Sequence, residues 1–315
     1  MAEQTLDLDP DEPLHVLVPP VIAETVATVS PRLRVHAFSP RDGAPSGEAL
    51  RAAVWVPPSG YPGVPDEVVA ALPGLRLVQL LTAGAERFIG RLPAGVLLCN
   101  ARGAHTPSTA EWVMAAVLAA QRGIPFFTRE QDAGRWSFRT QHTLHGARVL
   151  IIGAGDIGRA VRRMLDGFGT EVELVARSAR DGVHATSELP RLLPRADVVV
   201  LVVPVTPETT GMVDAAFLAA MKDDALLVNA ARGVVVDTDA LVPELQSGRL
   251  RAAVDVTDPE PLPEGHPLWT ASGLLLTPHV GGEIPGTVGR GAASVTAQLA
   301  RVLAGEPLQD VVGDY

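Results

Sequence analysis

Cysteine is nearly absent from this chain of 315 residues. Its single cysteine, Cys99, excludes an internal disulfide framework and a zinc site built from several cysteines, and we expect no bound metal. No apolar run reaches the roughly 18 residues that a membrane-spanning helix needs. The first residues also lack the basic-then-apolar pattern of a secretory signal. These absences predict a protein of the reducing cytoplasm with no membrane partner.

Lysine is equally scarce, and no run of basic residues occurs. The chain has one lysine, Lys222, and a formal net charge of −10. The absence of a basic face argues against a nucleic-acid partner. Hydrophobic residues make up 47% of the chain, which is enough for a substantial core and excludes a mainly disordered chain. The length by itself predicts two domains.

Short apolar segments alternate with amphipathic ones along most of the chain. Strands as apolar as residues 198–203 are typical of a parallel sheet that helices cover on both faces. Helices are predicted over residues 66–72, 108–122 and 286–303, the second with Ser108 and Thr109 as N-terminal caps. Strands are predicted over residues 14–18, 33–38, 52–56, 75–81 and 96–99, and then over residues 148–152, 171–176, 197–203, 225–229, 252–256 and 274–277.

A glycine-rich turn follows one of these strands and precedes a helical segment. Gly153, Gly155 and Gly158 form a G-x-G-x-x-G pattern, with Asp156 and Ile157 inside it. The first glycine permits a tight turn, the second lets the backbone approach a pyrophosphate, and the third lets the helix pack against the strand. A structural turn is the alternative for the bare pattern. The strand before it and the helix after it favour a dinucleotide site.

In NAD-specific sites the strand after the glycine turn usually ends with an acidic residue, and the corresponding strand here lacks one. Ala176 occupies that position, and Arg177, Ser178 and Arg180 follow it. Their charges and hydroxyl group can hold a 2′-phosphate. We therefore predict NADP as the preferred cofactor, with NAD possible. The alternative is that these arginines are solvated loop residues.

Four downstream segments, in this order, resemble motifs of the D-isomer-specific 2-hydroxyacid dehydrogenase family. They are residues 203–209 (VPVTPET), 228–237 (VNAARGVVVD), 255–261 (DVTDPEP) and 276–282 (LTPHVGG). The resemblance implies that Arg232, Glu260 and His279 are the catalytic residues. It adds five cofactor-binding candidates within the motifs: Pro204, Thr209, Ala231, Asp255 and Gly281.

The three catalytic candidates suit the reduction of a 2-oxo acid. Histidine exchanges protons near neutral pH, and a carboxylate such as Glu260 beside it favours the imidazolium form. Arg232 can bind the substrate carboxylate and stabilise charge on the carbonyl oxygen. Each of the three also has a purely structural interpretation, and Asp258 is a rival to Glu260. The ordered set of motifs favours the catalytic interpretation.

The resemblance also implies two Rossmann-like α/β domains with parallel sheets and a substrate cleft between them. The dinucleotide-binding domain is predicted over residues 104–287, and the substrate-binding domain over residues 1–103 and 288–315. Residues 80–88 resemble the loop whose backbone N–H groups bind the substrate carboxylate, with Ala83 and Gly84 at those positions. A turn that requires Gly84 is the alternative.

The expected function is hydride transfer between NAD(P)H and a small anionic 2-oxo acid, with glyoxylate or hydroxypyruvate favoured. A homodimer is also implied, for which residues 112–120, Phe126 and Phe127 offer apolar surface; the alternative is that these residues belong to the internal core. Trp136 lies in a segment that helps to form the dimer in relatives, and core or interface packing is as consistent with it as substrate contact. Two alternatives stay open: a catalytically silent NAD(P)-sensing protein of the same fold, and a 3-phosphoglycerate dehydrogenase-like enzyme. The intact catalytic set disfavours the first, and the lack of a regulatory domain after the last helix disfavours the second.

Overall fold

The computed structural model describes residues 4–6, 8, 9, 11–60 and 65–313. Contacts between residues divide the chain into two compact units. The first unit comprises Met1–His105 and Pro285–Tyr315, and the second comprises Thr106–Ile284. No helix in the described part of the chain is long and apolar enough to cross a membrane.

Strands and helices alternate along both units. The strands are Leu14–Val18 (β1), Leu33–Ala37 (β2), Val54–Trp55 (β3), Leu77–Gln79 (β4), Leu97–Cys99 (β5), Arg148–Ile152 (β6), Glu171–Ala176 (β7), His184–Ala185 (β8), Val198–Leu201 (β9), Leu226–Asn229 (β10), Arg251–Val254 (β11) and Leu274–Leu276 (β12). The helices are Pro20–Ala27 (α1), Asp66–Ala70 (α2), Thr106–Gln121 (α3), Ile124–Asp132 (α4), Asp156–Leu165 (α5), Leu189–Leu192 (α6), Ala215–Ala220 (α7), Thr238–Gln246 (α8) and Thr287–Ala304 (α9).

The first unit contains a parallel sheet with the order β2-β1-β3-β4-β5. Successive residues of β1 point to opposite faces of the sheet, and both faces are covered. Val16 packs in a cluster with residues of α1 and α9, whereas Leu17 packs in a second cluster with a residue of α2. This order reverses the winding between β1 and β3, as in doubly wound folds.

The second unit contains a parallel sheet with the order β12-β11-β10-β9-β6-β7-β8. Val199 and Leu201 of β9 pack in one core cluster, and Val198 and Val200 pack in the other. Both faces of the sheet are therefore buried, as the apolar run predicted. From β6 onward the strands follow the order of dinucleotide-binding folds, with the switch point between β6 and β9. The predicted fold class, two doubly wound parallel sheets, is confirmed.

The start of α3 differs from the prediction. The helix begins at Thr106, so Ser108 and Thr109 are buried residues inside it and do not cap it. Pro107 lies in the first turn, where its missing N–H group removes no helical hydrogen bond. Helix α4, which follows Gly123 in a left-handed conformation, and the two-residue edge strand β8 are among the elements for which no range was predicted.

Candidate active site

The predicted functional segments of the second unit lie where strands of the parallel sheet end. Since the strands are parallel, these ends share one edge of the sheet, and doubly wound folds bind their ligands at that edge. The residues that follow the strands in this way are Gly153 after β6, Arg177 after β7, Pro204 after β9, Arg232 after β10, Asp255 after β11 and His279 after β12.

His279 and Glu260 are in direct contact at this edge. The Nδ1 atom of His279 lies 2.7 Å from Oε1 of Glu260, and the two side chains are 41% and 34% exposed. The backbone of His279 is left-handed, with φ 56°, and its N–H group donates to the carbonyl oxygen of Asp255 at 2.6 Å. Non-glycine residues adopt this conformation rarely, and it persists where the surroundings enforce it. The contact with Glu260 and the backbone bond together fix the orientation of the imidazole ring.

The segment that carries Glu260 packs against the turn that carries Arg232. A Cβ atom on Gly233 would lie 2.0 Å from the carbonyl carbon and oxygen of Thr257, so only glycine permits this approach. Arg232 is half-buried, and its Nη1 donates to the carbonyl oxygen of the preceding residue at 2.7 Å. The rival acid, Asp258, accepts a bond from Thr238 through its backbone carbonyl, whereas the carboxylate that contacts His279 is that of Glu260.

Asp255 holds the segment that carries His279. Its Oδ1 accepts bonds from the hydroxyl of Thr277 at 2.6 Å and from the N–H of Val280 at 2.9 Å. Its Oδ2 accepts from the N–H of Gly281 at 2.7 Å, and a Cβ atom at Gly281 would lie 2.8 Å from this oxygen. Asp255 and Gly281 are cofactor-binding candidates; the contacts described for them order the His279 loop.

The glycine turn has the geometry of a phosphate cradle. Gly153 has φ 118°, and a Cβ atom there would lie 2.3 Å from the carbonyl oxygen of Val202. A Cβ atom on Gly158 would lie 1.9 Å from the carbonyl oxygen of Gly153, whereas one on Gly155 would meet nothing within 4 Å. Asp156 begins the ten-residue helix α5. The open space at Gly155 and the N–H groups of the first turn, which includes Ile157, fit a dinucleotide pyrophosphate.

The end of β7 carries no acid, as the sequence indicated. The strand ends at Ala176, and Arg177, Ser178 and Arg180 are exposed beyond it. The Nη2 atom of Arg177 lies 3.4 Å from Oε2 of Glu208, and Nη2 of Arg180 lies 3.5 Å from a carbonyl oxygen of the glycine turn. These arginines lie at the edge where the adenosine ribose binds in such folds.

Glu208 belongs to a tightly bonded loop after β9. The Thr209 hydroxyl donates to the carbonyl oxygen of Pro204 at 2.7 Å and accepts from the N–H of Thr206 at 2.8 Å. The pKa of Glu208 is held below its usual value by hydrogen bonds from the Thr206 hydroxyl and from the backbone N–H of Glu208, and by the positive charge of Arg177. Glu208 is therefore an anion held beside Arg177.

The predicted substrate loop lies in the first unit, directly after β4. The side-chain amide of Asn100 donates to the carbonyl oxygen of Ala83 at 2.8 Å. The hydroxyl of Thr82 donates to the carbonyl oxygen of Gly84 at 3.3 Å. The loop is thus fixed through its carbonyl groups. Its N–H groups remain a predicted anion site.

Comparisons with known proteins agree with this arrangement. A model of the NAD-binding domain of D-isomer-specific 2-hydroxyacid dehydrogenases matches residues 114–281. The chain belongs to this family. It is 35% identical over 261 residues to D-3-phosphoglycerate dehydrogenase of Mycobacterium bovis, covering 79% of this chain but 49% of that protein, so the chain spans about half the length of this relative.

Other relatives of this chain match along more of their length. Glyoxylate/hydroxypyruvate reductase A of Serratia proteamaculans is 31% identical over 264 residues, covering 79% of this chain and 81% of that protein. A family member from Xanthobacter autotrophicus Py2, solved with NADPH and MES, is 31% identical with a TM-score of 0.83. That alignment covers 96% of this chain and 98% of the solved chain.

Asn229 is a residue of the candidate site that sequence reasoning missed. Asn229 is buried at the end of β10. Its Oδ1 accepts from the N–H of Ala231 at 3.0 Å, and its Nδ2 donates to the carbonyl oxygen of Arg232 at 3.0 Å. These bonds fix the turn before the arginine side chain. The available signal was an amide at the end of an otherwise apolar strand.

Proposed function

We propose that this dehydrogenase transfers a hydride between NAD(P)H and a small 2-oxo acid, with glyoxylate or hydroxypyruvate as its favoured substrates. The 2.7 Å contact of His279 with Glu260, on the sheet edge that also carries the glycine cradle, is the observation that carries this proposal. The reductase from Serratia proteamaculans supports the substrate class by its name.

In this mechanism His279 supplies the proton. Its Nδ1–H donates to the carboxylate of Glu260, which directs Nε2 to the substrate carbonyl oxygen. The imidazole must carry a proton on Nε2 before it can transfer one to the substrate. A bound nicotinamide supplies the hydride. In the oxidative direction the same imidazole nitrogen accepts the proton from the hydroxyl group.

Arg232 orients the substrate anion. Its planar guanidinium can form paired hydrogen bonds with a carboxylate, and it can stabilise negative charge that develops on the carbonyl oxygen. The backbone N–H groups of Ala83 and Gly84, in the first unit, are further candidate donors to a substrate carboxylate. Although the protein carries a net negative charge, it then binds an anionic substrate through local hydrogen-bond donors and the positive charge of Arg232.

NADP is the preferred cofactor in this proposal. Ala176 provides no carboxylate to repel a 2′-phosphate, and Arg177 and Arg180 follow it on the surface. Hydrogen bonds to charged groups contribute roughly 1.5–3 kcal/mol. The negative charge of Glu208 beside Arg177 offsets part of this gain. We therefore expect a preference for NADPH over NADH of about tenfold in kcat/KM.

The protein forms a homodimer through the α3–α4 face in this proposal. Trp136 and Phe138 are almost fully exposed on the segment after α4. Arg135 and the hydroxyl of Ser137 bind the carboxylate of Glu130. These bonds fix residues 135–138, the segment called here the aromatic arm. The arm borders a groove of about 1240 Å³ whose apolar lining includes Ala115, Leu118, Ala119, Ile124 and Phe127. In a two-fold symmetric dimer, the aromatic arm of each chain can pack into the apolar groove of the other.

A screen of 2-oxo acids tests the reaction directly. Glyoxylate, hydroxypyruvate and larger 2-oxo acids are each mixed with NADPH or NADH, and the loss of reduced-cofactor absorbance is followed. Turnover of the small 2-oxo acids supports the proposal. Tight binding of NADPH without turnover of any 2-oxo acid contradicts it and favours a cofactor-sensing protein.

A further inference from the structure

Trp112, on α3, is bonded to the loop that carries His279. Its Nε1 donates to Oγ1 of Thr277 at 3.1 Å, and Oγ1 of Thr277 donates to Oδ1 of Asp255 at 2.6 Å. A threonine hydroxyl has one proton, so accepting from the indole while donating to the carboxylate satisfies both of its roles. The indole therefore fixes the direction in which the hydroxyl points.

The Asp255 carboxylate, at the end of this chain of bonds, holds the loop that carries His279. It also accepts the N–H groups of Val280 and Gly281, and the backbone carbonyl of Asp255 accepts the N–H of His279. His279 lies between these contacts in its left-handed conformation. Any rotation of the carboxylate would therefore change the position of the imidazole relative to Glu260.

The ring of Trp112 also lies beside the far end of the loop. A Cβ atom on Gly281 would lie 3.2 Å from Cγ of Trp112, so the glycine leaves room for the ring. One side chain is thus bonded to Thr277 and lies next to Gly281, on either side of His279. A neighbour at both ends restricts the loop more than one at either end alone.

We propose that Trp112 and Thr277 are positioning residues for proton transfer, acting on His279 through Asp255. Neither side chain needs to touch the substrate or cofactor for this role. Small displacements of a reacting group are costly, because proton transfer requires a narrow range of distance and angle. The inference rests on the proposed role of His279 as the acid.

Three variants and one control test the inference in the full chain. W112F keeps the aromatic ring and removes the N–H group, T277V removes the hydroxyl at nearly constant shape, and T277S restores it. The matched control, T170V, removes another half-buried threonine hydroxyl of the second unit, which donates to a carbonyl oxygen at 3.2 Å. Steady-state kinetics, NADPH fluorescence titration, thermal unfolding and hydrogen–deuterium exchange of residues 277–281 are measured for each.

We expect W112F to lower kcat by about threefold to tenfold, and T277V by about tenfold or more, because the bond to a carboxylate is the stronger one. T277S should recover most of the loss, and W112F combined with T277V should be no worse than T277V alone. Exchange in the loop should accelerate in W112F and T277V even without cofactor, while the Kd for NADPH should change less than kcat. T170V should change neither kcat nor exchange in the loop.

Three results would overturn the inference. The first is W112F with unchanged kcat and unchanged exchange, and the second is T277S as impaired as T277V. The third is a loss of kcat matched by an equal loss of NADPH binding, as expected if Trp112 only stabilises the fold. H279Q separates the two proposals: if it retains turnover, the role of His279 itself fails. If H279Q is inactive while W112F and T277V are not impaired, only the positioning inference fails.

Discussion

His279 is constrained through both its ring and its backbone. Glu260 binds Nδ1, and the backbone N–H bonds to Asp255 in a conformation with φ 56°. Residues held in sparsely populated conformations cluster at functional sites, where the surrounding structure offsets their strain. This double constraint singles out His279 among the eight histidines of the chain.

The first prediction concerns the proton donor. H279Q keeps hydrogen-bonding capacity but cannot exchange a proton near neutral pH, so kcat for reduction should fall about a hundred- to ten-thousandfold. NADPH binding, measured by fluorescence titration, should be unchanged. The control is H145Q, at an exposed histidine. Turnover of H279Q within a few-fold of the parent would remove His279 from the mechanism.

The second prediction concerns cofactor choice at the end of β7. A176D combined with R177A adds an acceptor for the ribose hydroxyls and removes the cation for a 2′-phosphate. The ratio of kcat/KM for NADPH to that for NADH should fall from about ten to below one. In the opposite direction, E208Q removes the anion beside Arg177 and should raise this ratio about threefold at low salt.

Steady-state kinetics with both cofactors decide this point. An equal use of both cofactors by the parent protein, or an unshifted ratio in the double variant, would show that Arg177 is a solvated loop residue. E208Q in the R177A background serves as the control. Without Arg177, Glu208 no longer has this partner beside the cofactor site, so E208Q should leave the ratio of kcat/KM values unchanged.

At the scale of elements, β1 and β2 are joined by a histidine pair. Nδ1 of His15 lies 2.9 Å from Nε2 of His36, and the rings are stacked. His15 is buried, and its pKa is lowered by that burial, by the positive charge of Arg51, by His36 and by Arg34, while Glu48 opposes the shift. The folded state therefore favours neutral His15.

The third prediction follows from the sign of this shift. A histidine with a lowered folded-state pKa binds fewer protons than in the unfolded chain, so its contribution to stability is complete above about pH 6.5 and is lost as the pH falls from there. The thermal midpoint should therefore decrease between about pH 7 and about pH 5. H15F, which keeps a ring but cannot titrate, should flatten this dependence.

Thermal unfolding across this pH range measures the effect. The control variant is H145F, at an exposed position, which should keep the dependence of the parent protein. A dependence as steep in H15F as in the parent would show that the histidine pair does not couple protonation to stability.

At the scale of the whole molecule, the fourth prediction is a dimer. Light scattering should give the mass of two chains, and W136D, which places a charge on the exposed arm, should give the mass of one. The control V21D places the same charge on a comparably exposed apolar residue of α1 and should remain dimeric. A monomeric parent protein, or equal disruption by V21D, would contradict the α3–α4 interface.

The sequence by itself determined much of the fold. Strands β1, β6 and β7 have their predicted bounds, because each is rich in valine, leucine or isoleucine and is followed by a proline, a glycine or an arginine. The glycine turn was also predictable, since positive φ at Gly153 and close packing at Gly158 are demands that no other residue type meets. The family resemblance is confirmed by the comparisons. The roles of the individual site residues stay predictions.

Local patterns gave the wrong result where partners decide. Only Leu77–Gln79 of the predicted strand 75–81 are strand residues, because a strand extends only as far as its neighbours pair with it. Ser108 and Thr109 have the composition of caps, yet they lie inside α3. Helix α4 was missed although it fixes the arm that bears Trp136.

Only the tertiary structure revealed how His279 is held. Trp112 and Thr277 are 165 residues apart in sequence, and their bond exists because α3 packs against β10 and β11, the second of which lies beside β12. The bonds of Asn229 are local, to residues two and three positions later, and they depend on the path of the turn that follows it. Sequence patterns report which side chains carry chemistry, because residue type fixes charge, proton exchange and backbone freedom. The orientation of those side chains depends on long-range contacts, which no local pattern records.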